Sequence, residues 1–482
     1  MSEVNARDLT RIESIDDIFD KYSGTGKNVK AGIEVEMAFI DPASPDLAVM
    51  TLPQNRVLKN AAAAALPGDW VHNEPTSELL EVASIAEGLN DLKGVLRDTN
   101  KKISILGQKS QGLGLKRSYF QELPDKTAAE LLSRIVDVER YKIMYAPYRA
   151  DMEECVRYFA VCKSTQVSVG YPDQNKALAD IRRLYYLAPF LFMLTDNSAG
   201  YSEGKRFRGH AGMTLRKNGL PPLPDYVLSA KSGEEFFTRH IEHVMNNPLF
   251  MYYDLDGNLQ RVPSGDWSVT FNSLKKQGLN TTSNYYLAQS LMWPDVKIAA
   301  LKDEEGQVNG HRYEARMFGV GIHQHQTAFL IVSLLAFQPI LAKKIDALLT
   351  SYGFRPEAPQ TQDYVEKSYA AARNHNGNFF NIPFGTGTMS EFARTFADLF
   401  EPSAETLGLE EEIQPILTIC RTGCTDAKVN RLLFPDMEDI IKFQRTYDTS
   451  LFEDPNQCAR TIFEKEIKRL KPGCFCDNPH AA

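Results

Sequence analysis

Cysteine is scarce: seven residues in 482, at positions 155, 162, 420, 424, 458, 474 and 476. The odd count and uneven spacing argue against a disulfide framework and for reduced thiols. Cys420 with Cys424, and Cys474 with Cys476, do not have the spacing of the usual zinc pairs, so they read as free thiols. A basic excess is also missing. Lys and Arg number 54 against 62 Asp and Glu, for a net charge of −8 and a pI near 5.7. That balance lacks the clustered positive charge of a nucleic-acid binder, and it repels anionic membranes.

Long apolar runs are missing too. The longest, "AFLIVSLLAFQPILA" from Ala328 to Ala342, is too short for a membrane span and contains Gln338 and Pro339. It reads as a buried helix. The first residues, "MSEVNARDLTRIESIDDIFDKY", are acidic and amphipathic, without the basic start and apolar core of a secretory signal. The expectation is a cytoplasmic protein whose partners are small molecules, with no nucleic acid and no membrane. A P-loop is absent as well. "SGTGKN" has Gly-Lys, but Lys21 stands where the upstream Gly belongs and Asn28 where Ser or Thr belongs. No internal repeat, low-complexity tract or linker divides the chain.

What is present is an ordinary globular composition, 43% hydrophobic and 24% charged. At roughly 150 residues per domain the length allows about three domains. Without linkers, the reading is a single catalytic domain over residues 1–482, with a core at about 29–345 and a mostly helical part at about 346–482. Helical periodicity covers 7–22, 55–66, 87–111, 126–140, 174–200, 234–247, 324–352 and 361–373. Ser14 to Asp17 has the form of a capping box with Asp in the Glu role. Strands are read at "AGIEVEMAFI", after the turn in "DWVHNEPTSELLEVASI", at "AVCKSTQVSVGYP", and at "HRYEARMF". "MYYDLDGNLQRVPSGDW" reads as a hairpin with Asp256-Gly257 at its turn. Strands and helices do not alternate as βαβ units. The fold class is therefore α+β, a curved and mainly antiparallel sheet with one face lining a site and helices on the other.

The first strand poses the chemical question. Side chains alternate along a strand, so Glu34 and Glu36 share one face while Ile33, Val35 and Met37 turn to the core. Two neighbouring carboxylates repel unless a cation lies between them. Mg²⁺ takes such oxygen ligands, usually with substrate phosphates; a solvated strand face would carry the same pattern. The theme recurs. Glu74 lies in a loop, Glu78 and Glu81 flank Leu79–Leu80, and Glu81 joins the polar face. Gln166 and Ser168 lie opposite Val167 and Val169, and Glu314 and Arg316 lie opposite Tyr313 and Ala315. For Glu314 and Arg316 a cross-strand ion pair is the alternative. Arg206, Arg208 and Arg216 fall in one polar loop, either a basic surface or a phosphate clamp. "PFGTGTMSEF" offers Gly385, Gly387 and a helix N-terminus to an anion. Tyr171, Tyr252 and Tyr253 are candidates for an acceptor pocket or for the core. His323 and His325 read as the surface of a helix start, not as metal ligands.

The order of these motifs carries a resemblance. E-x-E, then W-x-x-x-E…L-L-E, then S/T-x-Q/H-V-x-V-G, then N-S-x-G followed by Arg, then E-x-R before a long helix, resembles the glutamate–cysteine ligases. More broadly it resembles the carboxylate–amine ligases with a glutamine-synthetase-like sheet. It spans about Gly32 to Leu335, and more faintly "ARNHNGNFFNIPFGTG". The resemblance implies ATP and Mg²⁺, or Mn²⁺ in its place. It implies phosphorylation of a γ-carboxylate of glutamate and attack by an amine, most simply that of cysteine, which is the first step of glutathione synthesis. An alternative acceptor, or a non-catalytic relative that binds an amino acid or nucleotide, belongs to the same frame. By resemblance Glu34, Glu36, Glu74, Glu81 and Glu314 hold metal, and Arg216 and Arg316 are catalytic. Gln166, Ser168, Arg208 and Tyr171 then bind substrate, and Arg316, Gly385 and Gly387 bind nucleotide. Many members carry His where this chain has Gln166, and His or Asn at Ser168. An amide oxygen is a weaker metal ligand than imidazole, so one metal position is in doubt.

Overall fold

A computed structural model describes residues 8–145, 162–209, 223–263, 266–303, 306–375, 379 and 381–452. Its strands are β1 (Ala31–Ile40), β2 (Val71–Asn73), β3 (Leu79–Ala83), β4 (Lys116–Arg117), β5 (Thr165–Gly170), β6 (Tyr201–Ser202), β7 (Lys205–Arg206), β8 (Met251–Tyr253), β9 (Leu259–Arg261), β10 (Val296–Lys302), β11 (Val308–Phe318), β12 (Pro383–Phe384) and β13 (Gly387–Thr388). Seven form one curled antiparallel sheet in the order β10-β11-β5-β1-β3-β2, with β4 paired to the end of β1. The rest make three small hairpins. The fold is α+β, a half-barrel sheet with many helices.

Alternation explains the two faces of the sheet. Ile33, Val35 and Met37 of β1, Val167 and Val169 of β5, and Tyr313, Ala315 and Met317 of β11 are all buried on the back. Helices Leu92–Gln111, Gln174–Leu194 and Gln324–Phe337 pack there. Gln324–Phe337 is buried almost throughout, so it is apolar all round rather than on one stripe.

Several sequence readings are corrected. Residues 8–14 are not helical; only Asp16–Phe19 is, followed by a tight turn at Asp20–Tyr22. Backbone bonds from Ile12 N to Asn280 O and from Thr282 N to Thr10 O hold the preceding segment extended. Asp17 does receive the Glu13 and Ser14 amides, which is half of the expected capping box. The reading over 126–140 divides into Ala128–Leu132 and Glu139–Met144, because Ile135 bridges to Thr76. Strand β10 was not expected; its alternation is short and lacks turn residues inside the run. The helix over 324–352 is two, Gln324–Phe337 and Pro339–Ser351, bent by 101°. Pro339 has no N–H to continue the ladder. Among the described residues no single helix is long and apolar enough to cross a membrane; this bent pair meets the length and composition only when joined. Cys162, Cys420 and Cys424 are free thiols, and the other four cysteines lie outside the described residues.

The far end of β11 is locked by one glycine. Gly319 N donates to Thr195 Oγ1 at 3.1 Å, while Gly319 O accepts from Thr165 Oγ1 at 2.9 Å. A Cβ at this position would meet Gln121 Oε1 at 2.2 Å and Thr195 O at 2.4 Å. Gly319→Ala should therefore destabilise the protein by about 1–3 kcal/mol through overpacking. Thermal unfolding would record this as a clear fall in Tm.

Candidate functional site

The concave face of the sheet encloses a cavity of about 280 Å³. Glu34 and Glu36 reach it from β1, Glu81 from β3, Gln166 from β5, Lys297 from β10, and Glu314 and Arg316 from β11. Register brings them together: Glu36 is opposite Glu81, Glu34 opposite Gln166, and Glu314 opposite Lys297. Glu74 arrives from the β2–β3 connection and Arg140 and Tyr141 from the helix Glu139–Met144. An apolar wall of Met144, Phe192, Leu287, Leu291, Trp293 and Phe318 completes it.

The five acids fall into two groups. Glu34 and Glu314 have cations. Arg312 Nη2 lies 3.5 Å from Glu34 and 3.6 Å from Glu314, and Arg316 Nη1 bonds Glu314 directly. Burial pushes Glu314 up, but Arg316, Lys297 and Arg312 together outweigh it and hold the carboxyl at about 2. Arg316 also donates to Gln166 Oε1. The Gln166 amide passes the chain on, with Nε2 donating to Glu36 Oε1 at 2.9 Å and Glu81 Oε2 at 3.4 Å.

Glu36, Glu74 and Glu81 form the second group. Their carboxylate oxygens lie within 4.8 Å of one another. Glu36 receives the Ser164 amide at 2.6 Å. Among the described residues no Lys or Arg forms an ion pair with Glu74 or Glu81. Burial, then the Glu36 charge, pushes Glu74 up to about 8. Burial, then the charges of Glu34, Glu74 and Glu36, drives Glu81 up further. Glu36 is raised by burial although Arg316 opposes it, and Glu34 by burial and then by Glu314. Three crowded carboxyls that resist ionisation, with no ion pair to a described Lys or Arg, are the donor set a hard divalent ion takes.

The other sequence candidates are dispersed. Ser168 shares the face of Gln166, opposite Glu314, and its buried Oγ has no hydrogen-bond partner. Arg208 is exposed and lies off the cavity wall, and Arg216 lies outside the described residues. Tyr171 is corrected to the core: it follows the end of β5, is fully buried, stacks on Phe237 and donates to Tyr22 O. Gly385 and Gly387 are corrected to a tight hairpin away from the cavity. A Cβ on Gly385, at φ +57°, would meet Tyr352 O at 2.0 Å. The following helix is already capped by Thr388 and Glu391, so its N-terminal amides are occupied. Tyr252 and Tyr253 sit on β8 in the hairpin with β9. Glu78 is buried beside Thr76, 2.5 Å from its hydroxyl, and does not line the cavity. His323 and His325 are buried, not on a surface; they pair with Asp426 at 3.0 Å and with Asn100 at 2.8 Å.

Sequence reasoning missed Arg312, Lys297, Arg140 and Lys163. Arg312 was within reach, since it stands two residues before Glu314 on the same face of β11.

A scan against protein-family models finds no match, and neither does a search of curated proteins. Solved structures do match. One is a glutamate–cysteine ligase from Francisella tularensis in complex with AMP. It is 8% identical, with a TM-score of 0.53, over 93% of this chain and 95% of that one. This chain has the fold of that ligase. A second, a bifunctional glutathione synthetase from Pasteurella multocida, is 12% identical over 95% of this chain and 54% of that one. Its TM-score of 0.49 is too low to add to the likeness. At these identities the similarity speaks for the fold alone.

The raised carboxyls make a linkage prediction. Glu74 titrates near 8 when folded against an ordinary value of 4.5, so the folded state holds an extra proton between those values. That contribution is fully present below 4.5 and is lost as pH rises through about 8, at about 1.4 kcal/mol per pH unit. Chelator-treated protein should lose stability over this window in denaturant titrations. The Glu74→Gln/Glu81→Gln double variant should show a much flatter profile, as should the wild type saturated with Mg²⁺.

Proposed function

We propose that the chain is an ATP- and Mg²⁺-dependent carboxylate–amine ligase that forms a γ-glutamyl amide, with glutamate and cysteine as the first-choice substrates. The observation that carries this reading is the separation of the buried acids. Glu36, Glu74 and Glu81 converge without an ion pair to any described Lys or Arg, beside an Arg316 that bridges Glu314 and Gln166. The ligase fold supports it, and the AMP in the Francisella protein supports a nucleotide as one substrate.

Glu36, Glu74 and Glu81 would hold the divalent ion, Mg²⁺ or Mn²⁺. When bound, it neutralises triphosphate oxygens and offers a hard Lewis acid to the transferring group. The reaction runs in two displacements. The γ-carboxylate oxygen of glutamate bonds to the terminal phosphorus of ATP and ADP leaves, giving an acyl phosphate. The amine nitrogen then bonds to the acyl carbon and phosphate leaves with the electron pair. Transfer of this kind asks the protein for positioning and charge, not for covalent chemistry. Arg316 supplies fixed positive charge at its guanidinium, held in place by Glu314. Gln166 orients Glu36 and Glu81 through its amide. Glu34 is anchored by Arg312 and fixes the strand face beside them. Arg216 remains a sequence-based candidate for substrate carboxylate or phosphoryl oxygen, and Ser168 for substrate binding. As a glutamate–cysteine ligase the protein would act in the cytoplasm at the first step of glutathione synthesis.

A second reading keeps the chemistry and changes the acceptor. It is favoured by Gln166 and Ser168 on the inner face and by the wall of Met144, Leu287, Leu291 and Trp293, which suits an apolar side chain. Both readings are tested by following ADP release from ATP, Mg²⁺ and glutamate with each common amino acid in turn. Cysteine-dependent release supports the first and release with another amine the second. Binding of ATP or glutamate without turnover on any amine would point to a non-catalytic protein. Glu36→Ala and Glu81→Ala should each lower turnover by about 10²-fold or more with the fold intact by circular dichroism. Near wild-type activity in either would remove the site.

A further inference from the structure

The arginine side of the cavity carries more positive charge than its own acids balance. Arg312, Arg316 and Lys297 stand there against Glu34 and Glu314. Arg312 and Arg316 both lie within ion-pair distance of those acids. Among the described residues Lys297 makes no ion pair with a carboxylate. It is the surplus cation of that side.

Two contacts set its position. Lys297 is opposite Glu314 in the β10–β11 register, so its side chain rises from the same concave face and lines the cavity. Its Nζ donates to Ser290 O at 3.2 Å. Ser290 ends the helix Thr282–Ser290, where the last carbonyls lack partners within the helix and attract a cation. Ser290 also lines the cavity, as do Leu287 and Leu291 at helical spacing from it and Trp293 beyond them. The ammonium therefore sits on the seam between an apolar wall and a charged floor. It has three donors, and among the described residues only Ser290 O takes one. The other cations of the wall are placed differently. Arg316 is engaged by Glu314 and Gln166. Arg140 bonds Tyr141, and its charge acts on Glu74, on the side of the three clustered acids. Lys163 gives its Nζ to the carbonyl of Phe120, which is not part of the wall.

We propose that Lys297 binds the α-carboxylate of the acceptor, and that the acceptor is an α-amino acid with an apolar side chain rather than a simple amine. The inference rests on the ligase reading above. The acceptor carboxylate takes the two remaining N–H groups of Lys297 and balances the surplus charge. Its side chain lies along Leu287, Leu291 and Trp293. Its amine, one carbon from the carboxylate, is left over the charged floor beside Arg316. A simple amine would cover Lys297 without supplying a counter-charge, and that desolvation selects against it. Glutamate also brings an α-carboxylate, but its side chain ends in the reacting γ-carboxylate and has nothing apolar to place on the wall beside Lys297.

The experiment gives wild type and Lys297→Met the same ATP, Mg²⁺ and glutamate with two acceptors. One is an equimolar mixture of cysteine, valine, leucine, isoleucine, methionine and phenylalanine at subsaturating concentration, read as ADP release. The other is hydroxylamine, which has no carboxylate, read as γ-glutamyl hydroxamate. The loss with the amino acids should exceed the loss with hydroxylamine by about 10²-fold, chiefly as a raised KM. Lys297→Arg keeps the charge and should recover most of the amino-acid rate. Equal losses with both acceptors would assign Lys297 to glutamate, to the nucleotide or to the fold, and would overturn the proposal with the ligase reading standing. A wild type that makes hydroxamate but releases no ADP with the amino-acid mixture overturns it in the same way. If Lys297→Met fails to fold, the wild type alone decides: the α-carboxamides of the same amino acids should release ADP about tenfold more slowly or worse, and equal rates would overturn the proposal. A wild type that makes neither product removes the ligase reading itself.

Discussion

Burial, and after it mutual repulsion, of carboxylates on one sheet face governs this structure. Each of Glu34, Glu36, Glu81 and Glu314 sits where alternation along a strand sends it to the concave side, and Glu74 enters from the β2–β3 connection. Left alone, such a group would protonate or unfold the sheet around it, since burying unpaired charge costs several kcal/mol per ion. The chain resolves the problem in two ways. On the β10–β11 side it supplies its own cations, and Glu314 is ionised as a result. On the β1–β3 side no described Lys or Arg forms an ion pair with Glu74 or Glu81, and burial pushes both carboxyls up although Arg140 and Arg316 oppose it at Glu74.

That asymmetry gives the cavity its chemistry. The arginine side is a rigid, internally balanced strut that positions Arg316 and Gln166. The acid side is a set of crowded carboxyls that hold their protons to a higher pH than an ordinary Glu. Gln166 joins the two halves, accepting from Arg316 and donating to Glu36 and Glu81. An imidazole at this position could ligate a metal ion, but it could not accept from an arginine and donate to two carboxylates at once. The amide therefore fits a site in which three acids cluster while arginines balance the remaining two.

Much of this face was legible as text. Glu34, Glu36, Gln166, Glu314 and Arg316 follow from period-two alternation against buried Ile, Val and Met, and alternation is local. Glu81 followed from the same rule. Arg140 and Lys163 could not be read, because they reach the cavity from a short helix and from the approach to β5, and only the tertiary arrangement aims them. Lys297 was hidden for a different reason: β10 has no internal turn residue and its alternation is short. The histidines were misjudged because polarity suggested exposure, whereas His323 and His325 are buried and each finds a hydrogen-bond partner. The glycines of the 383–388 hairpin were read as an anion cradle, and the backbone of Tyr352 explains Gly385 better.

Manganese offers the most direct test of the central claim, that Glu36, Glu74 and Glu81 are neutralised by a divalent cation. Crystals grown with Mn²⁺ and a non-hydrolysable ATP analogue should give an anomalous peak bonded to oxygens of all three side chains. A saturating Mn²⁺ concentration that leaves those oxygens without a peak, sharing protons with one another instead, would contradict the account.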